Sequence, residues 1–529
     1  MSASGNSIFK EWVPNWAILS ILVFCMLHSM VLLGLYTSNI TYSASYLDIE
    51  PEDLQFTMSL TYGTFLATIM IEGRLFKYFP TRNYFVVIYC FSAILFIVSA
   101  YTNDFYVFAI LRVIEGILMA LPWIPLRILL LSRFKTQNAT IVVFSLTYGA
   151  LLIATPFIVN IAVWILDWSD WTYMVYGSAF FQIVCVGLIS LTFNNNHFHR
   201  KVPLYQVDWT SFVLLCADIL SGAFILVYGE KKYWFQSPQI VTATVICLIF
   251  SALFIIRQLT VKRPCFDMTV FRYANLRTGL LLFILFYISR SSLNICHATM
   301  SKVWNWEPIR VANIQYLNAL GDMIGITFAG ILMAKGVATR FIFVIGFLLM
   351  AIHHLWFTFL FVPDVALVDI VVPYMLQGIA VGTLFVPLVL FTVSSVPSHL
   401  APFSGAVGVS GRFWGTNIGF CIMQNAQVFF QAKHFHKFRQ FIAPESQETQ
   451  QRIAQLQNSF LAKGYTADNA YQLAMQQIGV AVQKQDILLS NMEIFTGIGL
   501  VLLVLVVLLL INQHLKDSFN LFRNKIWVS

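Results

Sequence analysis

Arg112 and Glu115 stand three residues apart in the run Arg112-Val-Ile-Glu115-Gly116-Ile-Leu-Met-Ala-Leu-Pro-Trp-Ile-Pro125. That spacing puts them on one face of a helix. The run is apolar enough to cross a bilayer, and an ionisable group inside hydrocarbon is costly enough to be functional by default. A carboxyl in that setting can bind and release a proton, because burial favours its neutral form and a neighbouring cation its charged form. The alternative is an ion pair that only neutralises both groups. His28 lies in another apolar run, and three further charged residues, Arg290, Asp322 and Arg412, lie in later ones. Asp322 suits contact with a cationic substrate, whereas Arg290 and Arg412 suit an anionic one. Asp322 and Arg412 can also pair or line a cavity separately. Trp123, Phe144, Tyr148 and Phe385 are candidate walls of an apolar cavity, and Gln377 is placed with them. Pro125, Pro156 and Pro387 are expected helix kinks.

Other chemistries find no support. His353 and His354 are adjacent, so their side chains diverge on a helix, and no carboxylate or cysteine stands near them in sequence. The eight cysteines have no metal or redox spacing. No glycine-rich phosphate loop is present. The chain is expected to be no enzyme, with no metal and no cofactor.

These residues need apolar helices to carry them. The chain is 58% hydrophobic and 11% charged, where a soluble domain carries about a quarter charged residues. Fourteen runs long enough to span are read at roughly 16–36, 55–72, 84–101, 106–130, 139–163, 172–193, 209–229, 239–256, 277–296, 309–333, 341–360, 367–394, 403–430 and 493–513. The formal charge of +8 does not mark a nucleic-acid groove, because Lys and Arg fall in short connections between runs. Arg74, Lys77, Arg82, Arg133, Lys135, Arg200, Lys201, Arg257, Lys262, Arg263, Arg272, Arg277 and Arg340 all lie in one alternate set of connections, which is therefore read as cytoplasmic. Lys231 and Lys232 are the exception. An even number of spans puts both termini inside, and Lys516, Arg523 and Lys525 in the tail agree. No cleavable signal peptide is evident.

With that orientation, His28 lies roughly 18 Å from the inner face and Arg112 roughly 9 Å from the outer face by the helix rise. In a core of about 30 Å the two sit at similar depth. Segment 431–492 is polar and Gln-rich, and it is read as a helical hairpin packed on the outer face. Ile453, Leu456, Phe460 and Leu461 form one inward face closed by Gly464. A second helix from Thr466 turns Leu473, Ala474 and Ile478 inward.

An internal repeat doubles this architecture. EGILMALPWIPLRIL around Glu115 matches QGIAVGTLFVPLVLF around Gln377, each with a proline nine residues after its glycine. A weaker echo joins Gly73…Thr81-Arg82 to Gly330…Thr339-Arg340. Two similar halves separated by two extra spans are a transporter signature, with substrate bound near the midplane between them.

The sequence resembles the fourteen-span drug:proton antiporters of the major facilitator superfamily, the EmrB/QacA type, over nearly its full length. RVIEG…P is similar to the family's fourth-span motif, and GRLFKYFPTRNYF to its loop after span two. Val207-Asp208-Trp209, GEKKYWFQSPQI, RPCFDMTVFRYANLRTG, LQGIAVGTLFVPL and QDILLSNMEIF resemble EmrB-type segments in the same order. The departures are specific. His28 stands at the family's first-span acidic position, and Glu115 at its fourth-span Gln. Phe76 and Lys77 replace the loop Asp, and the fifth-span Gly-Pro motif is reduced to Ala154-Thr155-Pro156.

The resemblance implies an all-α major facilitator fold with both termini cytoplasmic. Its expected parts are a terminus at 1–14, a six-helix bundle at 15–200, two linker spans at 201–262, a second bundle at 263–513 and a tail at 514–529. It implies secondary active export of amphiphilic compounds by alternating access with proton antiport, from a bacterial inner membrane. Glu115, Arg112 and His28 are then the proton-coupling group, moved from span one to span four. Arg290, Asp322, Arg412, Trp123, Tyr148, Gln377 and Phe385 are the cavity, and Gly73 and Arg82 the cytoplasmic gate. The expected partners are substrate, protons, lipid, a periplasmic adaptor and an outer-membrane channel, with no nucleic acid. Two alternatives stand beside this reading. One is a narrow-specificity carrier of a siderophore or lipid-like metabolite without proton coupling; the other is a non-transporting receptor or scaffold.

Overall fold

The computed structural model describes residues 8–28, 48–102, 104–136, 138–198, 201–394, 396–441 and 446–512. The end of the first apolar run and the tail with Lys516, Arg523 and Lys525 lie outside the described residues. The first half holds α1 (Asn15–Met26), α2 (Pro51–Tyr78), α3 (Thr81–Ala100), α4 (Phe105–Ala120), α5 (Trp123–Leu131), α6 (Ala139–Trp168) and α7 (Trp171–Thr192). Next come α8 (Trp209–Tyr228) and α9 (Pro238–Thr260). The remainder is α10 (Ala274–Ser291), α11 (Leu293–Lys302), α12 (Pro308–Ala334), α13 (Thr339–Thr358), α14 (Leu367–Ser394), α15 (Ala401–Phe441), α16 (Gln447–Ala462) and α17 (Ala467–Ile511). With α4–α5 and α10–α11 each taken as one span, twelve helices among the described residues are long and apolar enough to cross a membrane. Helix also occupies the first and thirteenth expected runs, as the shorter α1 and the longer, more polar α15.

Local chemistry starts these helices. Asp104 accepts from the Val107 amide at 2.9 Å, and Asp208 from the Ser211 amide at 3.2 Å, each capping the apolar helix that follows. Glu50 and Asp53 form a reciprocal capping box before Pro51 at the start of α2. Asp208 also holds Arg257 at 2.8 Å, closing the α8–α9 pair at one end. Partial burial pushes its carboxyl up, but hydrogen bonds from Arg257 and Ser211 outweigh that and hold it below the ordinary range. At the other end Lys231 pairs with Glu50 and lies 3.9 Å from Glu52, and Lys232 bonds Gln239. The two lysines that break the charge pattern are thus partnered by local polar groups.

The repeat has a packing cause. In each half it brings the fourth span onto the second. A Cβ at Gly116 would lie 2.0 Å from Thr64 Oγ1 and 2.1 Å from the Thr61 carbonyl, so only glycine lets α4 touch α2. A Cβ at Gly378 would lie 2.2 Å from the Asn318 carbonyl, and one at Gly382 would lie 2.3 Å from that of Asp322, so α14 meets α12 in the same way. Thr61 and Thr64 in α2 also donate to the carbonyls of Arg112 and Val113, each at 3.1 Å.

The halves meet along α6–α12 and α2–α15. Asn160 donates to the Ala312 carbonyl at 2.8 Å, and Ser59 to Asn417 at 2.6 Å. The α8–α9 pair packs through α8 on α2 and α15. Large apolar side chains such as Phe91, Ile110, Leu248 and Val504 point outward, as a lipid-facing surface requires.

The hairpin differs from expectation. It does not lie down on the outer face as two separate helices. Instead α15 and α17 continue as unbroken helices into this segment, and α16 packs along α17. The 45 residues of α17 span about 68 Å, against a core of about 30 Å. Gly464, at φ +89°, makes the left-handed turn after α16. Ala474 is buried as expected, but Leu461 is 40% exposed, because only one side of α16 has a partner.

Candidate functional site

Arg412 is the centre of a cluster of aromatic side chains. It projects from α15 between the halves, and its guanidinium stands 5.3 Å from the Tyr62 ring centre, 5.7 Å from Phe385 and 6.0 Å from Tyr287. Cation–π attraction holds a guanidinium at such distances. Tyr148 packs edge-on to Phe385 at 5.2 Å, and Trp123 lies 6.1 Å from Tyr148. Tyr62, Trp123 and Tyr148 come from the first half, and Tyr287, Phe385 and Arg412 from the second. Arg412 keeps partial exposure among buried aromatics, so it lines a space. The hydroxyl of Tyr62 is buried without a hydrogen-bond partner among the described residues, and that of Tyr287 faces Arg290 and Arg412. A cation, two phenols and aromatic walls can take an amphiphile by its polar end and its apolar body at once.

Asp322 and Arg412 form no ion pair among the described residues. Asp322 is 1% exposed with Oδ1 unpartnered, and the cation in electrostatic reach is Arg290. Gln377 does not line the cavity. It is 2% exposed and accepts from Asn318 at 2.5 Å, which ties α14 to α12.

Arg112 and Glu115 pair directly, at 1% and 2% exposure, as their spacing requires. Arg112 also lies 5.9 Å from the Phe108 ring centre. Glu115 Oε1 has no hydrogen-bond partner among the described residues.

His28 lies beside the helix break that the prolines make. Pro122 lacks the N–H that would bond the Leu118 carbonyl, and Pro125 the one that would bond Leu121. His28 Nε2 lies 3.3 Å from the Leu118 carbonyl, and Tyr84 donates to that of Leu121 at 2.8 Å. The freed Leu121 carbonyl thus gains a donor from α3, the Leu118 carbonyl faces His28 from the chain just after α1, and helix breaks at Leu121–Pro122. His28 Nδ1 lies 2.7 Å from the Gln182 side-chain oxygen, so both ring nitrogens face acceptor oxygens. Helix continues unbroken through Pro156 and Pro387, by contrast.

The gate residues are not brought together. Gly73 is exposed with nothing within 4 Å of a Cβ placed there, and Arg82 is half-buried. Asp218 bonds Ser251 at 2.5 Å between α8 and α9. His353 and His354 are fully buried and bond the Pro373 and Met350 carbonyls. No group of three metal-ligating residues occurs among the described residues.

Sequence reasoning missed Tyr62, Tyr287, Arg127 and Glu72. The two tyrosines carried no signal in a chain that is 16% aromatic. Glu72 fell at the expected end of its span, but α2 runs on to Tyr78 and encloses it.

No family model matches the chain. It is similar to the multidrug export protein EmrB of Haemophilus influenzae, 26% identical over 389 residues, or 66% of this chain and 72% of that protein. EmrB of Escherichia coli strain K12 is 24% identical over 468 residues, covering 85% and 88%. The fatty acid resistance protein FarB of Neisseria gonorrhoeae is 22% identical over 406 residues, covering 75% and 76%. Among solved structures, a POT family transporter in complex with a thioalcohol-conjugated peptide superposes with a TM-score of 0.58 at 12% identity, over 93% of this chain and 96% of that one. The major facilitator proton:xylose symporter XylE gives 0.50 at 12% identity, over 96% and 99%. The fold is therefore the one these major facilitator structures share, in a multi-pass membrane protein. In sequence the chain is similar to EmrB-type multidrug export proteins.

Proposed function

We propose that the protein is a secondary active exporter of amphiphilic compounds, working by alternating access and driven by proton antiport. The observation that carries this reading is the Arg412 cage, whose walls come from both halves. Rocking one half against the other takes the cage apart and rebuilds it, which changes affinity between the two sides. The similarity to EmrB and FarB supports an amphiphilic substrate. Glu115 carries the coupling proton beside Arg112, and His28 fixes the first span to the same stretch of α4. Asp322 with Arg290 is the second charged element of the cavity.

The reading extends to fourteen spans with both termini cytoplasmic, as the basic connections support. It places 15–200 and 263–513 as the bundles, 201–262 as linker spans, and 1–14 and 514–529 as cytoplasmic ends. Gly73 and Arg82 close the cytoplasmic side in another state of the cycle. The membrane is the bacterial inner membrane. The hairpin then docks a periplasmic adaptor that leads to an outer-membrane channel. Its free side carries Tyr471 and Met475, 47% and 44% exposed, one helical turn apart. Deleting 447–462 with a short bridging loop removes adaptor co-purification while the bundle folds; retained co-purification discards the docking surface.

The test of transport is growth protection by the wild-type chain in an efflux-deficient host against dyes, detergents and long-chain fatty acids. Arg412→Gln at equal membrane abundance loses that protection. Protection undiminished by Arg412→Gln removes the cage as the substrate site, and no protection by wild type against any compound removes the exporter reading.

A further inference from the structure

Glu72 is an unassigned carboxylate in an unusual position. It lies six residues before the end of α2, about 9 Å by the helix rise. It is 1% exposed, and neither carboxyl oxygen has a hydrogen-bond partner among the described residues. No cation stands within ion-pair distance of it there. An ionised carboxylate without a partner cannot be kept in such surroundings; it takes up a proton or acquires a cation.

The groups that face it make both available. Arg127 on α5 and Lys77 on its own helix are in electrostatic reach, and Tyr84 faces it from α3. Arg127 is engaged elsewhere. It donates to the Tyr148 hydroxyl at 3.2 Å and lies 4.9 Å from the Phe144 ring centre. Tyr148 is a wall of the Arg412 cage, so Arg127 links the cavity to the neighbourhood of Glu72. The joint that carries Arg127 is the break at Leu121–Pro122. Its freed Leu121 carbonyl is held by Tyr84, the same residue that faces Glu72.

We propose that Glu72 is a proton-binding carboxyl of the transport cycle, separate from Glu115. It carries its proton while Arg127 holds Tyr148. It releases the proton to water at its end of α2 when α5 turns at the Leu121–Pro122 joint and Arg127 moves across. The carboxylate then pairs with Arg127, and Tyr148 is freed to adjust to substrate in the cage. Emptying or filling the cavity thereby sets whether a proton is held a helical turn or two away. The role in the cycle rests on the exporter reading above; the bound proton does not.

The test needs no substrate. Full-length protein in lipid is compared with Glu72→Gln by infrared difference spectroscopy at neutral pH. The wild type minus variant spectrum contains the carbonyl stretch of one protonated carboxyl, lost in the variant. A spectrum that loses only ionised carboxylate bands overturns the proposal. Should Glu72→Gln fail to fold, dicyclohexylcarbodiimide, which attacks protonated carboxyls in apolar surroundings, is applied to the unmodified protein and mapped by mass spectrometry. Labelling at Glu72 is expected, and labelling at other buried carboxyls without Glu72 overturns the proposal. Arg127→Gln separates the partner from the proton, because the Glu72 carbonyl band then persists to higher pH than in wild type. A band that titrates as in wild type rejects Arg127 as the exchange partner. Gradient-driven export with no protonated Glu72 sinks this proposal alone; a protonated Glu72 without export sinks only the transport reading.

Discussion

Glu115→Gln abolishes pH-gradient-driven export in proteoliposomes and leaves exchange of substrate at equal pH on both sides intact. Glu115 is the carboxyl in direct contact with Arg112, and both are sealed from solvent. Gln keeps the shape and a hydrogen bond but cannot exchange a proton. Only steps that load or unload the proton are therefore lost. The matching change on the partner is more severe. Arg112→Ala leaves a buried carboxylate uncompensated, which costs about 3–5 kcal/mol. Full gradient-driven flux in Glu115→Gln would move the coupling proton elsewhere, with Glu72 the next group to examine.

The second large effect is on folding. Gly116→Ala places a methyl 2.1 Å from a main-chain carbonyl of α2 that has no freedom to move aside. The helices must separate, at a cost of about 1–3 kcal/mol for overpacking, and the Thr61 and Thr64 bonds to α4 stretch with them. Gly378→Ala does the same between α12 and α14. Gly73→Ala is the control. Nothing lies within 4 Å of its added methyl, and alanine is the better helix former by about 0.5–1 kcal/mol. Thermal unfolding in detergent should fall for Gly116→Ala and Gly378→Ala and hold or rise for Gly73→Ala. Equal midpoints for all three would deny that the repeat exists for close packing.

The repeat was legible because both its parts are local. A glycine and a proline at fixed spacing mark where a helix needs a bare face and where it loses a backbone donor. Pro125 was read as a kink, and the break lies at the residues whose carbonyls Pro122 and Pro125 release. The partners of those carbonyls were not legible. His28 and Tyr84 reach α4 from other parts of the chain, so nothing local to either residue marks the carbonyl it meets there. Gln377 was assigned to the cavity for the same reason: its bond to Asn318 is made across two helices.

What the sequence by itself determined is what one helix and one bilayer dictate. Apolar length selects spans, three-residue spacing pairs Arg112 with Glu115, and the order of motifs carries the likeness to EmrB-type proteins. The tertiary structure decided which distant groups share a low-dielectric interior. It surrounded Arg412 with aromatics from both halves, gave Asp322 the field of Arg290, and left Glu72 closed in without a hydrogen-bond partner among the described residues. In such an interior the charge state and energy of a group are set by what lies within a few ångströms, and for these residues those neighbours come from helices far away along the chain.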